Sequence, residues 1–271
     1  RNFIIFLINT KMENKDLVLK MVADGKLQSP LYKYRSLADG SKEYTLDIFR
    51  KCELFFAAPS SFNDPFDCKF SPVIASVKKL ASEIAQRQTL GYEPDNVERT
   101  ILADSAIDAN FVKAVDRVMN RHGICCFSRK KEEILMWSHY ADCHKGICLE
   151  FDVSKDPDFF VFPKNVAYQD NYPKIDVSQP EGTNKYVSAL LGTKYTKWAY
   201  EKEVRVYKKE HKAYSFNPAA LTSIFFGCKT DDTMIEEVKQ VVRGNEYLKH
   251  VKFYKAVMDS NAFKLNFEEL D

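Results

Sequence analysis

The stretch GICCFSRKKEEILMWSHYADCHKGICLEF, residues 123–151, decides the fold. Its two ends, residues 123–128 and 146–151, are short and almost continuously apolar, which is typical of buried strands. Between them, residues 134–141 have the pattern of a short helix. The segment therefore predicts two core strands with a helix between them.

Outward from this segment, the pattern of the chain alternates irregularly between strand and helix. Further strands are predicted at residues 30–35, 53–57, 204–207, 221–226 and 251–257, the last of them as the final strand. Helices are predicted through Leu46, Ile48 and Phe49, near residues 185–191, and across residues 234–242. Irregular strand spacing favours an α+β fold with a mixed, mainly antiparallel sheet over a doubly wound one.

The region from about residue 73 to 121 has helical spacing and is predicted to be a helical insertion within one domain. Its apolar positions include Phe111, Val112, Val115, Val118 and Met119.

Asp95 and Glu98 form a plausible capping pair within the same insertion. The single α+β domain is expected to span residues 12–271. Residues 1–11 are either a non-native or disordered extension or the first segment of the fold.

Composition excludes several classes of protein. Forty Lys and Arg residues against thirty-eight Asp and Glu residues give a net charge of +2, so no overall field draws the chain to a polyanion. The 13% aromatic content argues against disorder, and nine glycines argue against a glycine-rich nucleotide-binding design.

Seven cysteines are an odd number at low density, and Cys125 and Cys126 are adjacent, so no disulfide framework is expected. Reduced thiols favour a cytoplasmic location. The apolar run from Phe3 to Ile8 is too short to span a membrane, so no membrane association is expected.

The first motif that could carry chemistry is FNDPFD, residues 62–67, in a turn after a strand. It is either a turn in which Asn63 and Asp64 bond their own backbone or a loop that lines a pocket.

The second motif, residues 136–144, combines aromatic and imidazole groups. Trp137, Tyr140 and His144 share one helical face, which is consistent either with core packing or with a wall on which a base or nicotinamide ring stacks. The spacing of His139, His144 and the nearby cysteines does not match a tetrahedral metal site, so no metal is expected.

The third motif is WAYEKEVR, residues 198–205, in which alternation along a strand would place Glu201 and Glu203 on one face. Two like charges on one half-buried face are costly unless they have partners or a function. Arg205 lies two positions after Glu203 and therefore on the same face of the strand, which makes it one structural partner for Glu203. Alternatively, the two carboxylates stabilise an oxocarbenium ion, as glycosyl transfer requires.

Taken in order, YKYR (32–35), FNDPFD (62–67), CFS (126–128), LMWSHYA (135–141) and EKEVR (201–205) resemble the signature of a bacterial domain family of unknown function. This resemblance covers about residues 30–210. It implies no activity by itself.

A weaker similarity links the chain to the Arg-Ser-Glu ADP-ribosyltransferases, which use NAD as a substrate. The resemblance implies that Arg35 holds the phosphates, that Ser128 orders the site around the nicotinamide ribose, and that Glu203 bonds a ribose hydroxyl. It further implies that Glu201 positions the acceptor and that Tyr140 or Trp137 forms a stacking wall.

These assignments make Glu203 and Glu201 the candidate catalytic residues. The candidate cofactor-binding residues, all expected around one pocket, are Arg35, Ser128, Tyr140, Trp137, Asn63 and His139.

The resulting hypothesis is an enzyme of toxin or phage-defence type that transfers ADP-ribose from NAD to a protein or nucleic acid, or hydrolyses NAD. Two alternatives remain open: a non-catalytic module that binds a ligand or partner, and a metal-dependent nuclease with Asp64, Asp67 and Glu203 as ligands. The sequence does not encode the acceptor or the oligomeric state.

Overall fold

A computed structural model of the protein describes residues 14–73, 106–161, 163–176 and 189–271. Its helices are α1 (Asn14–Ala23), α2 (Lys42–Lys51), α3 (Ala106–Met119), α4 (Ile134–Tyr140) and α5 (Asp232–Gly244). The longer strands are β1 (Leu31–Arg35), β4 (Gly123–Ser128), β5 (Ile147–Phe151), β10 (Glu203–Lys208), β12 (Leu221–Phe226), β13 (Lys252–Met258) and β14 (Leu265–Leu270). The short strands are β2 (Glu53–Phe55), β3 (Ser71–Val73), β6 (Lys164–Asn165), β7 (Ala167–Gln169), β8 (Lys174–Asp176), β9 (Thr193–Tyr195) and β11 (Ala213–Ser215).

The core of the fold is an eight-stranded sheet with the order β14-β13-β12-β5-β1-β4-β10-β6. Its neighbouring strands run antiparallel except β12 and β13, which are parallel and are connected through α5. The prediction of an α+β fold with a mixed, mainly antiparallel sheet is confirmed.

Apolar side chains cover both faces of this sheet. One face carries the larger cluster, in which Phe127, Phe151 and Phe160 pack edge to face or tilted with ring centroids 5.3 to 6.3 Å apart. On the other face, Tyr34 of β1 packs edge to face against Trp137 of α4. Cys125 belongs to the first face, and Cys126 packs against a third cluster, as alternation along β4 predicts.

Two details differ from the sequence prediction. β13 is followed by β14, which pairs antiparallel with it, so residues 251–257 are not the final strand. On α3, Val112, Val115 and Met119 pack inward as predicted, but the Val118 side chain is 41% exposed.

Some predictions lie outside the described residues: the Asp95–Glu98 cap, the extension at residues 1–11, and most of the helix near residues 185–191. Only residues 189–191 of that helix are described, and they are helical. All seven cysteines are free thiols. No helix in the described ranges is both long and apolar enough to cross a membrane.

Candidate functional site

A cleft opens in the central sheet between β1 and β4. The two strands share the pair Tyr32–Ser128 and then separate, while β1 remains paired with β5 as far as Arg35. Lys33 reaches across the opening, where its Nζ donates a hydrogen bond to the Cys126 carbonyl at 3.1 Å. The cleft has a volume of about 360 Å³, within the range of small-molecule sites.

The cleft brings together most of the residues predicted for the site, although they lie far apart in the sequence. Those that line it are Arg35, Asn63, Ser128, His139, Tyr140, Glu201 and Glu203.

Trp137 is the exception, and its prediction as a stacking wall is wrong. Its side chain is 0% exposed and its indole Nε1 donates to the Lys131 carbonyl at 2.7 Å. The side chain is enclosed because α4 turns this face toward β1, where Trp137 meets Tyr34. Trp137 therefore anchors the helix that carries His139 and Tyr140, and it does not reach the cleft.

The floor of the cleft is a buried cluster of charged side chains. Arg205 is 0% exposed and binds Glu203 through Nε and Nη2, at 2.7 and 3.1 Å. The same guanidinium binds both carboxylate oxygens of Asp67, at 3.0 and 2.6 Å. Lys194 donates to Glu201 at 2.5 Å and to Glu203 at 3.3 Å. Three carboxylates against two cations leave this cluster with an excess of negative charge when all are ionised.

The two glutamates respond to this cluster in opposite directions. Burial would raise the pKa of Glu203, but attraction to Arg205 and Lys194 lowers that pKa to about 2. Burial raises the pKa of Glu201 above its ordinary value, Lys194 opposes this shift, and repulsion from Glu203 adds to it. Glu203 is therefore a fixed negative charge, whereas Glu201 accepts a proton more readily.

The two glutamates do not alternate along one strand as predicted. Glu201 ends the 3-10 helix Thr196–Glu201, and Lys202 follows in a left-handed conformation with φ 45°. Glu203 is the first residue of β10. This turn at Lys202, not strand parity, brings both carboxylates to the cleft.

Ser128 fixes the turn that precedes Lys202. Its hydroxyl donates to the Glu201 carbonyl at 2.6 Å and accepts from the Lys130 amide at 3.0 Å. Because the Ser128 side chain is buried and doubly bonded, it orders the site by holding the backbone of a glutamate.

Two cations of β1, Lys33 and Arg35, also line the cleft, but strand register places them on the sheet face opposite to the one that carries Ser128 and Glu203. Neither forms an ion pair with a described carboxylate. The Arg35 Nε is buried without a hydrogen-bond partner, and burial lowers the pKa of this guanidinium. An unpaired buried donor on a cation is suited to binding an anion.

Aromatic groups surround the entrance. The Tyr140 hydroxyl donates to Glu201 Oε1 at 2.5 Å, and Asn63 is within hydrogen-bonding reach of the same hydroxyl. His139 is exposed and its Nδ1 lies 2.8 Å from the Tyr200 hydroxyl. His139 also packs edge to face against Trp198, with ring centroids 6.3 Å apart.

The loop at residues 62–67 has the predicted local bond at Asp64, and it also lines the cleft. Asp64 Oδ1 accepts from the Phe66 amide at 2.9 Å, which is a local turn, while Asn63 and Asp67 line the cleft. No group of three or more potential metal ligands occurs among the described residues. Arg205 occupies the position between Asp67 and Glu203 where the nuclease hypothesis would place a cation.

Sequence reasoning missed two lysines of the site. Lys33 could have been found, since strand alternation places it beside Arg35. Lys194 could not have been found, because no sequence motif links it to the carboxylates of Glu201 and Glu203. These groups come close to it only in the folded chain.

The comparisons with known proteins bear on part of this site. Residues 136–206 match the family model DUF2971, described as a protein of unknown function. The matched range includes Tyr140, Lys194, Glu201 and Glu203, and it supports the predicted resemblance to a domain family of unknown function. No curated protein and no solved structure is significantly similar to the chain.

Proposed function

We propose that the chain is an NAD-using enzyme that transfers ADP-ribose to a macromolecule or hydrolyses NAD, with the cleft between β1 and β4 as its active site. The observation that carries this proposal is the separation of charge across the cleft. Lys33 and Arg35 line the cleft from one face of the sheet, and the net negative cluster around Glu203 lines it from the other face.

This separation of charge complements NAD. The pyrophosphate of NAD is anionic and would bind Arg35 and Lys33 through charge-assisted hydrogen bonds. The nicotinamide ribose develops positive charge when the glycosidic bond breaks, and Glu203 would lie beneath it. Because the low pKa of Glu203 keeps its charge at neutral pH, this charge is in place before the reaction starts.

In the proposed reaction, the bond between ribose C1′ and the nicotinamide nitrogen breaks, and its electron pair leaves with nicotinamide. The acceptor oxygen or nitrogen, or a water molecule in hydrolysis, forms the new bond to C1′. In transfer, the proton of the acceptor passes to Glu201, whose raised pKa makes it the better base of the pair; in hydrolysis, the proton of the attacking water passes to solvent. Tyr140 holds the Glu201 carboxylate in place.

One observation favours a second candidate, a non-catalytic ligand-binding module. Every carboxylate oxygen of Glu201 and Glu203 already accepts a hydrogen bond from Tyr140, Lys194 or Arg205. In this second candidate the same cluster is a structural floor, and the cations of β1 bind an anionic ligand that is not transformed.

The test is nicotinamide release from NAD, with and without cell lysate as a source of acceptors. We expect wild-type protein to release nicotinamide. Glu203→Gln should reduce the rate on the order of 10² to 10³-fold, because the amide lacks the full negative charge. Glu201→Gln should spare hydrolysis and reduce transfer.

Both variants must be compared at a temperature at which each remains folded by circular dichroism. Absence of nicotinamide release and of any labelled macromolecule with folded wild-type protein would favour the binding module. Equal loss of both reactions in the two variants, together with low melting temperatures, would assign both glutamates to structure.

A further inference from the structure

A second depression adjoins the cleft on the far side of Lys194. It has a volume of about 600 Å³, and aromatic side chains form much of its wall: Phe66, Tyr172, Tyr195 and Trp198. We propose that this aromatic pocket binds an unstacked base of a single-stranded nucleic acid, which is the acceptor for ADP-ribose. The acceptor role rests on the proposed function, whereas the binding of a base does not.

The aromatic rings of this pocket are exposed. Phe66 is 65% exposed, Tyr195 45% and Tyr172 43%, although the fold has large apolar clusters in which such side chains are buried. Rings grouped around one depression offer flat surfaces on which bases stack, and stacking contributes about 1–3 kcal/mol per base in single-strand binding proteins.

Polar residues line the pocket between the rings. Gln169 and Asn171 line the same pocket together with Asp64 and Asp170, and the Gln169 Nε2 donates to the Asn171 carbonyl at 2.6 Å. Amides offer both donors and acceptors, which match the hydrogen-bonding edge of a base held on an aromatic surface. A groove that binds an apolar peptide segment would not need these polar residues.

The pocket adjoins the cleft but is separate from the cations of β1. Lys194 lines both depressions, and its ammonium lies 5.0 Å from the centroid of the Trp198 ring. Lys33 and Arg35 line only the cleft. A dinucleotide with its pyrophosphate on Arg35 would therefore place its reacting ribose next to Lys194 and leave the aromatic pocket for the acceptor.

The charge of the pocket indicates the kind of nucleic acid. Asp64, Asp170 and Lys69 line its wall, Lys194 is paired with Glu201 and Glu203, and the net charge of the whole chain is only +2. Duplex binding depends on many phosphate contacts and responds steeply to salt. We therefore expect recognition of one or a few splayed bases, with a shallow dependence on salt.

The test uses the fluorescence of the chain itself. The sequence has two tryptophans, of which Trp137 is buried and Trp198 lines the pocket, so quenching by a ligand reports on this site. Single-stranded DNA and RNA oligonucleotides about six nucleotides long are titrated into the full chain. We expect saturable quenching, with the Kd raised roughly tenfold in Phe66→Ser and in Tyr195→Ser.

Tyr247→Ser is the matched control, because Tyr247 is 66% exposed and lies outside both depressions, and its Kd should equal that of wild type. Absence of quenching, or equal affinity in Phe66→Ser and wild type, would overturn the proposal. Quenching by tyrosine-rich peptides but not by oligonucleotides would assign the pocket to a protein acceptor and would also overturn it.

A second readout separates this inference from the proposed function. In the presence of NAD, Phe66→Ser should release nicotinamide at the wild-type rate in water and lose transfer to the oligonucleotide. If oligonucleotides quench Trp198 but NAD is not consumed, the proposed function fails and base binding stands. If NAD is consumed and oligonucleotides neither bind nor become labelled, the inference fails and the proposed function stands.

Discussion

At the scale of single residues, the buried Arg205 has a structural charge, whereas the half-buried Arg35 has a charge that is free to bind a ligand. Arg205 binds Asp67 and Glu203, whereas Arg35 has no described ion-pair partner and a buried Nε without a hydrogen bond. Removal of one partner from a buried ion pair leaves an uncompensated charge and costs about 3–5 kcal/mol. Removal of a buried donor that has no hydrogen-bond partner breaks no interaction, so it causes no such loss of stability.

We therefore predict that Arg205→Met lowers the free energy of unfolding by about 3–5 kcal/mol, while Arg35→Met leaves it unchanged or raises it. Both changes replace a long cationic side chain with a long apolar one, so each serves as the control for the other. Urea denaturation measures both values. Equal destabilisation by the two changes would mean that Arg35 has a structural partner, which would remove it from ligand binding.

The low pKa of Glu203 predicts a specific dependence of stability on pH. The pKa of this glutamate is about 2 in the folded chain against an ordinary value of 4.5, because attraction to Arg205 and Lys194 outweighs burial. The unfolded chain therefore binds the proton more readily, so stability from this group is present above pH 4.5 and is lost as the pH falls towards 2.

We predict that the difference in unfolding free energy between wild type and Glu203→Gln narrows by on the order of 3 kcal/mol across this window. Denaturant midpoints measured at intervals from neutral pH to the acid end give this difference, and contributions from carboxylates that do not interact with Glu203 cancel. A constant difference would show that Glu203 titrates normally and that its ion pair with Arg205 is weak.

Residue-level pairings were only partly accessible to sequence reasoning. The pairing of Glu203 with Arg205 follows from their shared parity on a strand and was one of the two alternatives considered. The other partner of Arg205, Asp67, lies more than a hundred positions away, and local spacing gives no information about such a contact. Trp137 was misplaced because a helical face of aromatics is compatible with either a core or a ligand wall.

At the scale of elements, Gly146 fixes the distance between the end of β1 and the turn after α4. A Cβ atom built at this position would lie 2.3 Å from the Arg35 carbonyl oxygen and 2.9 Å from the Ala141 backbone. Since both neighbours are backbone atoms, the strand that carries Arg35 must move to accommodate any side chain.

We predict that Gly146→Ala destabilises the chain by roughly 1–3 kcal/mol or more through this overlap. It should also weaken any ligand held by Arg35. Gly244→Ala is the control: it lies at the end of α5 with no atom within 4 Å of a built Cβ, and it should be neutral or slightly stabilising. Thermal unfolding distinguishes the two, and a Gly146→Ala protein as stable as wild type would contradict the close packing of β1.

The elements that could be predicted are those with a strong apolar pattern. The bounds of β4 and β12 agree with the sequence prediction because nearly continuous apolar runs mark buried strands. β14 was not predicted, because its apolar pattern is weak. Few of its side chains face inward, and only Leu265 is buried. Strands of two or three residues such as β6 and β9 are too short to show a period.

At the scale of the whole molecule, the order of the motifs predicted which segments meet at the site. It did not predict the geometry of the cleft that they form. They converge because β1, β4 and β10 are neighbours in the sheet and the loop at residues 62–67 lies over them. The cleft itself depends on the separation of β1 from β4 after one register pair. Sequence periodicity fixes which face a side chain occupies, but it does not show where two paired strands separate.

The central claim is that this opening in the sheet is an NAD site, and calorimetric titration of NAD into the full chain tests it most directly. We expect one NAD to bind per chain, with the affinity reduced roughly tenfold or more in Arg35→Gln, since a charge-assisted hydrogen bond contributes about 1.5–3 kcal/mol. We expect no change in Arg50→Gln, where an exposed arginine is paired with Glu43 and Asp47. Absence of binding, or equal affinity in Arg35→Gln and wild type, would contradict the claim.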